Sequence, residues 1–252
     1  MKKLSKSKET RAKADASQQI RLNRVLSNAG LCSRREADQH ITMGLVQVNG
    51  KVVTTLGIKV GLTDEVKFDG QTISRAKMTY ILLNKPKGFV ALPKTTSKIK
   101  KTTQELLQST FNYELPPLGE MGRSAMGLIL LTNDNALRTK LLENPKLNMV
   151  YHIQLDAPIP TLALEKLKKG VVVQQKNYAL KKISHLEGKA KTEIGVEVMG
   201  IGPSLLRKIF TQLNLNILYL DRVTLGGLTK KDLPRGRWRH LSSKEISFLQ
   251  MF

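Results

Sequence analysis

Residues 32–50 read CSRREADQHITMGLVQVNG, and this stretch predicts a short helix followed by a β-hairpin. Ser33 and Glu36 have the spacing of a capping box, in which the hydroxyl accepts from a backbone N–H and the carboxylate reaches back. Ala37 and Ile41 follow at helical spacing, so one face of the helix is apolar. The pattern therefore predicts a helix that begins after Ser33 and packs through that face.

The hairpin is predicted by the alternating valines of residues 46–52 around Asn49 and Gly50. An Asn-Gly pair is the strongest short hairpin signal, because both residues tolerate positive φ in a two-residue turn. Apolar residues within 22–26 also recur at helical spacing, which indicates a second helix upstream. Residues 20–74 are therefore interpreted as one small α+β module, a helix pair with a hairpin sheet.

The charge of the chain points to a polyanionic partner. Of 252 residues, 42 are Lys or Arg and 20 are Asp or Glu, which gives a formal net charge of +22. Basic proteins gain affinity for nucleic acids through counterion release. A membrane surface is the competing partner, but no apolar run is long enough to span a bilayer, and no secretory signal begins the chain. The single cysteine, Cys32, excludes an internal disulfide and favours a cytoplasmic location.

Basic side chains of the N-terminal module are the candidates for contacting RNA. Several could converge on one face, and the helix N-terminus at Ser33 would add a backbone anion site. The alternative is an ordinary solvated charged face. The candidate RNA-binding residues of this module are Arg21, Arg24, Ser33, Arg34, Arg35, Asn49 and Lys51.

Residues 20–74 resemble the small RNA-binding domain that ribosomal protein S-four shares with many RNA-modifying enzymes. The resemblance implies a helix pair packed on a small hairpin sheet that docks on structured RNA. It is carried by Arg21-Leu22, Ala29-Gly30, Cys32-Ser33-Arg34-Arg35-Glu36-Ala37, Ile41, Gly44 and Val46-Gln47-Val48-Asn49-Gly50.

Residues 78–241 resemble the catalytic domain of the RsuA/RluB-type ribosomal RNA pseudouridine synthases. That resemblance implies an α+β domain with a mixed, mainly antiparallel sheet, which isomerises uridine in RNA without a cofactor after flipping the base. Lys85 and Lys87 lie in a matching motif and join the RNA-binding candidates. The main matching stretches are Leu83-Asn84-Lys85-Pro86-Lys87-Gly88, Gly127-Leu128-Ile129-Leu130-Leu131-Thr132-Asn133-Asp134, Tyr151, Arg222-Val223 and Gly236-Arg237-Trp238-Arg239-His240-Leu241.

The active-site segment departs from this family. Its pattern is Gly-Arg-Leu-Asp, followed four residues later by Gly and an apolar strand, and counting back from Gly127 places Gly122 at the catalytic aspartate. Glu120 occupies the arginine position. The reaction that the resemblance implies needs a carboxylate at the sugar. Along a strand Glu120 would face the same side as position 122, but two residues of extended chain displace it by roughly 6–7 Å.

Two further positions depart from the family pattern. A basic and amide-containing segment is replaced by residues 200–205, which read GIGPSL, and the lysine two residues before the active-site tyrosine is Met149. The tyrosine itself, which normally stacks on the flipped base, is retained as Tyr151. We therefore expect a catalytically degenerate member of the family.

The leading hypothesis is a non-catalytic protein that binds ribosomal RNA or a ribosomal subunit, as an assembly or ribosome-associated factor. The alternative is an active pseudouridine synthase with a relocated carboxylate, for which Asp134 is the nearest candidate, although it fits better as a helix cap. A third hypothesis is a regulatory protein that touches messenger RNA or another protein through the old cleft.

The predicted organisation is a flexible basic arm over residues 1–19, the RNA-binding domain over 20–74, a linker over 75–79 and the synthase-like domain over 80–252. The four histidines are scattered without metal-ligand spacing, so no metal site is expected. No cofactor and no membrane contact are expected, and we expect a monomer.

Overall fold

The computed structural model describes residues 19–29, 31–61, 63–73, 78–92, 101–111 and 113–252. The predicted basic arm therefore lies outside the described residues except for its last residue, as does most of the predicted linker. The chain divides into two compact units, one comprising the chain up to Lys77 together with Phe111–Glu114, and the other comprising the remainder. No described helix has the length and apolar character needed to cross a membrane.

The first unit combines two helices with short antiparallel strands. The strands form a four-stranded sheet in the order β3-β2-β5-β6 and a separate pair, β1 with β4. The elements are β1 (Ile20–Arg21), α1 (Leu22–Asn28), α2 (Arg34–Thr42), β2 (Val46–Val48), β3 (Lys51–Val52), β4 (Lys59–Val60), β5 (Val66–Phe68) and β6 (Gln71–Thr72).

Local sequence signals explain the start of α2 and the β2–β3 turn. The Ser33 N–H donates to the Glu36 carboxylate at 2.7 Å, and the Glu36 N–H donates to the Ser33 hydroxyl, so the predicted capping box is confirmed. Asn49 and Gly50 have φ of 51° and 78°, as the predicted hairpin turn requires. The core of this unit consists of buried apolar side chains from both helices and the sheet: Leu22, Val25, Leu26, Ala37, Ile41, Val46, Val60 and Val66.

The second unit is built on an eight-stranded mixed sheet. Its order is β12-β13-β9-β14-β8-β7-β16, with β15 paired to β14. The β14–β8 pair is parallel, whereas the other pairings among the described strands of this sheet are antiparallel. The predicted mixed, mainly antiparallel α+β architecture is therefore confirmed.

The bounds of its elements follow the hydrophobic pattern of the sequence. The strands are β7 (Tyr80–Lys85), β8 (Ala125–Thr132), β9 (Asn148–Leu155), β10 (Val171–Val173), β11 (Lys176–Tyr178), β12 (Lys182–His185), β13 (Glu193–Met199), β14 (Ile217–Leu225), β15 (Leu228–Thr229) and β16 (Trp238–His240). The helices are α3 (Asn135–Glu143), α4 (Thr161–Lys169), α5 (Pro203–Thr211) and α6 (Ser243–Gln250).

The middle of the sheet places four sequence-distant residues side by side. Lys85 of β7 is opposite Gly127 of β8, Gly127 is opposite Arg222 of β14, and Arg222 is opposite Tyr151 of β9. Gly127 has a φ of 98°, and an added Cβ would lie 2.3 Å from the Arg222 carbonyl oxygen. A side chain is therefore excluded at Gly127. Of the four residues in this row, only Lys85, Arg222 and Tyr151 carry side chains.

Candidate functional site

Lys85 is the most deeply buried cation of this row. Its side chain has no solvent exposure, and its Nζ donates to the carbonyl oxygens of Pro86 at 3.1 Å, Phe89 at 2.7 Å and Gly122 at 3.1 Å. Burial, together with the positive charges of Arg235 and Arg222, lowers the pKa of Lys85 to about 8. Because an ammonium group has three donors, these contacts use all of them. Lys85, a predicted RNA-binding residue, is thus placed inside the protein, whereas Lys87 is exposed.

Arg222 is the second buried cation on this face, with 3% of its surface exposed. Its Nε donates to the Leu128 carbonyl oxygen at 2.6 Å, while Nη1 lies 3.5 Å from the thioether sulfur of Met149. Its Nη2 is buried and has no acceptor among the described residues. A thioether is a weak acceptor. The Tyr151 side chain also interacts with this guanidinium, so among its nitrogens only Nη2 lacks a hydrogen-bond partner among the described residues.

Gly122 lies at the solvent edge of the same face. It is exposed, and its carbonyl oxygen accepts from the buried Lys85 ammonium. An added Cβ would meet no atom within 4 Å, and its φ is not in the left-handed region, so a side chain fits there. The segment around it is not a regular strand but is anchored at Met121, which forms an isolated antiparallel bridge with Ala91. Glu120 is exposed to solvent.

Among the described residues, no ion pair joins a carboxylate to Lys85 or Arg222. Asp221 is adjacent in sequence, but neighbouring residues of a strand point to opposite faces. Its carboxylate accepts from Arg235 at 2.6 Å and from Lys230 at 2.6 Å. Burial alone would raise the pKa of Asp221, but these hydrogen bonds outweigh it and hold the pKa at about 2. Asp221 is therefore a structural anion on the far side of the sheet.

Asp134 serves the start of α3. One of its carboxylate oxygens accepts from the Leu137 N–H at 3.0 Å, and the other accepts from the Tyr80 hydroxyl at 2.8 Å. The sequence-based assignment of Asp134 as a helix cap is confirmed. Burial, followed by the bond to Asp134, raises the pKa of Tyr80. This carboxylate is committed to local structure.

Tyr151 is buried against the segment that precedes α5. Its ring has no exposed surface, and its hydroxyl donates to the Ile201 carbonyl oxygen at 3.1 Å. Ile201 is itself 3% exposed and precedes α5. Burial raises the pKa of Tyr151, although the nearby Arg222 opposes this. A side chain enclosed in this way presents no open face on which a base could stack.

The predicted RNA-binding residues of the first unit lie mostly at its surface. Arg21, Arg34, Arg35 and Lys51 are exposed, and Arg24 is half-buried. Arg34 and Arg35 occupy the first turn of α2, where backbone N–H groups and the helix dipole favour anions. Whether these side chains share one face stays a prediction.

Two of the predicted RNA-binding residues make contacts within the first unit. The Asn49 side chain donates to Asp64 at 2.9 Å and accepts from the Glu65 N–H at 2.9 Å. Hydrogen bonds from the backbone and side chain of Ser33 lower the pKa of Glu36. The Glu36 carboxylate thus accepts a hydrogen bond from the Ser33 N–H. The predicted backbone anion site at the start of α2 is therefore partly occupied by this carboxylate.

Arg222 and Asp221 were not singled out as site residues from sequence. A signal was present, because two adjacent charged residues interrupt the otherwise apolar strand β14. Both are almost fully buried, and charged residues are rarely buried without a specific partner. Among the described residues, no cluster of His, Cys, Asp and Glu could hold a metal ion.

Comparison with known proteins gives two family matches in the same order as the two units. Residues 20–66 match the S4 domain, and residues 79–200 match the RNA pseudouridylate synthase family. The chain is 30% identical over 235 residues to the ribosomal large subunit pseudouridine synthase B of Bacillus subtilis, which covers 91% of this chain and 95% of that one. An uncharacterized RNA pseudouridine synthase of Aquifex aeolicus is also 30% identical, over 92% of this chain and 94% of the relative.

The chain belongs to the RNA pseudouridine synthase family. The dual-specificity RNA pseudouridine synthase RluF of Escherichia coli is 28% identical over 90% of this chain and 77% of its own length. A pseudouridylate synthase crystal structure superimposes with a TM-score of 0.62 at 21% identity, covering 91% of this chain and 99% of the other, which shows the common fold. Both predicted resemblances are therefore confirmed.

Proposed function

We propose that this member of the pseudouridine synthase family binds ribosomal RNA or a ribosomal subunit without isomerising uridine. One observation carries the proposal: Lys85 and Arg222 are buried on one face of the sheet, and no described carboxylate is paired with either of them. On this basis the cleft has kept cationic side chains but lacks the acid group that the chemistry requires. A role in ribosome assembly or on the ribosome would follow.

The chemistry implied by the family needs a carboxylate next to the target sugar. Gly122 supplies no carboxylate. Glu120 precedes position 122 by two residues, which in an extended chain places it roughly 6–7 Å away from that position. Misplacement of a reacting group by about 1 Å already slows catalysis substantially. The enclosed Tyr151 adds a second obstacle, because a flipped base would have to displace the Ile201 segment from it. Both features support a silent cleft.

RNA binding is supported by the first unit and by the charge. This unit matches a family of RNA-binding domains by resemblance, and the chain carries a formal charge of +22. The relative from Bacillus subtilis is named as a ribosomal large subunit pseudouridine synthase. The relative from Escherichia coli is named as a dual-specificity RNA pseudouridine synthase. A ribosomal RNA target therefore follows by extension from these relatives.

Binding is tested by co-sedimentation of the full chain with purified ribosomal subunits over a range of salt concentrations. We expect co-sedimentation that weakens with salt, and a steep loss in an Arg34→Gln, Arg35→Gln double variant. Each lost phosphate contact lowers the salt slope by about 1. Cations in the first turn oppose the helix dipole, so their removal leaves the fold intact. A double Lys→Gln variant at the exposed Lys189 and Lys191 is the charge-matched control. Equal loss in both variants would contradict the assignment of these arginines.

An active pseudouridine synthase is the second candidate, favoured by family membership and by relatives that are named as enzymes. It would require a relocated carboxylate. The test is to incubate unmodified ribosomal RNA with the protein and with Glu120→Gln and Asp134→Ala variants, and to map pseudouridine. Modification by the wild-type chain that one variant abolishes would establish this alternative and identify the carboxylate.

The remaining features of the proposal concern the protein as a whole. We infer a cytoplasmic monomer that needs no cofactor, with domain boundaries near residues 20, 74 and 80. A cytoplasmic location is supported by the single thiol and by the ribosomal target proposed above. Size-exclusion chromatography with light scattering tests the monomer: a mass of 28.2 kDa is expected, and twice that value would contradict it.

A further inference from the structure

We propose that the space beside Gly122 is a binding site for a small oxyanion of the carboxylate class, held by Arg222 and by the charge of Lys85. The site is a property of the second unit alone. It does not depend on the proposed RNA-binding function, and it can be tested in protein free of RNA.

The electrostatics of the sheet face that carries Lys85 and Arg222 favour an anion. Arg222 is 3% exposed and Lys85 is not exposed, yet neither is paired with a carboxylate among the described residues. Taking two like charges out of water is costly, and mutual repulsion adds to this cost. An anion bound between them would offset both effects. On the opposite face, by contrast, Asp221 already neutralises Arg235 and Lys230.

Arg222 provides the direct donor. Its Nη2 is buried without an acceptor among the described residues, while its Nη1 lies 3.5 Å from the sulfur of Met149 and the Tyr151 side chain also interacts with the guanidinium. These two nitrogens form one side of a planar fork, the geometry that binds a carboxylate with two parallel hydrogen bonds. The Lys85 ammonium is already saturated by three carbonyl oxygens, so it contributes through its charge. The donor set therefore suits a planar oxyanion.

Gly122 provides the space and the route of entry. It is exposed, and no atom lies within 4 Å of the position of an added Cβ. Its carbonyl oxygen is 3.1 Å from Lys85 Nζ, so Gly122 adjoins this buried cation, and Lys85 is in turn close enough to Arg222 for the two charges to interact. An aspartate side chain is an acetate group joined to the backbone at its methyl carbon. Acetate therefore has the size and charge of the group that a Gly122→Asp substitution would add.

The test measures thermal unfolding through the fluorescence of Trp238, which is the single tryptophan and lies in β16 of the second unit. Wild-type protein is titrated with sodium acetate, formate or phosphate at constant ionic strength, with chloride as the reference. We expect acetate to raise the midpoint by about 3–6 °C at about ten times its Kd. Gly122→Asp and Gly122→Asn, which are nearly isosteric, provide the built-in anion and its neutral control.

The proposal predicts that Gly122→Asp unfolds at a higher temperature than Gly122→Asn, and that acetate no longer stabilises either variant. A response to phosphate that exceeds the responses to acetate and formate would contradict the carboxylate class. The proposal is overturned if acetate and formate stabilise the wild-type protein no more than chloride does. It is overturned equally if Gly122→Asp keeps the full wild-type response, because the anion would then bind elsewhere.

Discussion

Introducing a lysine at Met149 tests whether two departures from the family pattern compensate each other electrostatically. The resemblance described above implies a lysine at this position and an aspartate at position 122, whereas this chain has Met149 and Gly122. Each change removes one charge, and the two charges have opposite sign. Met149→Lys should therefore be strongly destabilising alone but tolerated when combined with Gly122→Asp.

The magnitude follows from the position of Met149. Its sulfur lies 3.5 Å from Arg222 Nη1, so a lysine ammonium there would lie about 4–5 Å from the guanidinium. Two like charges at that distance repel by about 3–4 kcal/mol at an effective dielectric constant of about 20. Partial rotation toward solvent reduces this, and we expect Met149→Lys to lower the free energy of unfolding by about 2–3 kcal/mol. A carboxylate at position 122 should restore about 2 kcal/mol of it.

The assay is urea unfolding followed by the fluorescence of Trp238, applied to the wild-type chain, both single variants and the double variant. Met149→Leu is the control for the loss of the thioether at similar volume, and we expect it to change the free energy of unfolding by less than about 1.5 kcal/mol. A coupling energy of about 2 kcal/mol or more between the two sites is predicted. Additive effects within about 0.5 kcal/mol would refute the electrostatic argument.

Three further predictions concern single positions of the second unit. The pKa of Lys85 is lowered from 10.5 to about 8. Between these two values the unfolded chain binds more protons than the folded chain, so the free energy of unfolding should rise with pH. We expect a rise of about 2 kcal/mol from pH 8 to pH 10.5 after allowance for solvent screening. Comparing the urea midpoints of wild type and Lys85→Met across this range checks it, and a constant difference would exclude this contribution. Asp134→Ala should cost about 2 kcal/mol in urea unfolding, since it removes a helix cap and the partner of Tyr80, while leaving RNA binding unchanged. Gly127→Ala should cost about 3 kcal/mol or more because its Cβ would meet backbone at 2.3 Å, whereas Gly122→Ala should change stability by less than about 1 kcal/mol; similar values for the two would contradict the packing described.

Local signals in the sequence were sufficient for most of the fold. The capping box at Ser33 and the Asn49-Gly50 turn appear where they were predicted, because each depends on contacts within a few residues. The long apolar strand β8 and the helix α3 that follows it were also predicted, although β8 begins at Ala125 rather than Gly127. Strand β14 begins at Ile217, and its register with β9 shifts after Ile217, which no local pattern in the sequence indicates.

The site was less accessible to sequence reasoning because it depends on which strands are neighbours. Lys85 was interpreted as an RNA-binding side chain, but the carbonyl oxygens of the nearby Pro86 and Phe89 and of the distant Gly122 enclose its ammonium. Arg222 becomes a site residue only once β14 pairs in parallel with β8. Tyr151 was expected to line a cleft, and its enclosure depends on the Ile201 segment, fifty residues later. Long-range pairings of this kind leave no local pattern.

The pseudouridine content of unmodified ribosomal RNA, after incubation with stoichiometric wild-type protein, tests the central claim most directly. The Bacillus subtilis relative, named as a large subunit pseudouridine synthase, serves as the positive control. A cleft with Gly122 at the carboxylate position predicts no pseudouridine above the protein-free background, even though the protein binds the RNA. New pseudouridine that increases with the concentration of this protein would contradict a silent cleft and show that another carboxylate performs the reaction.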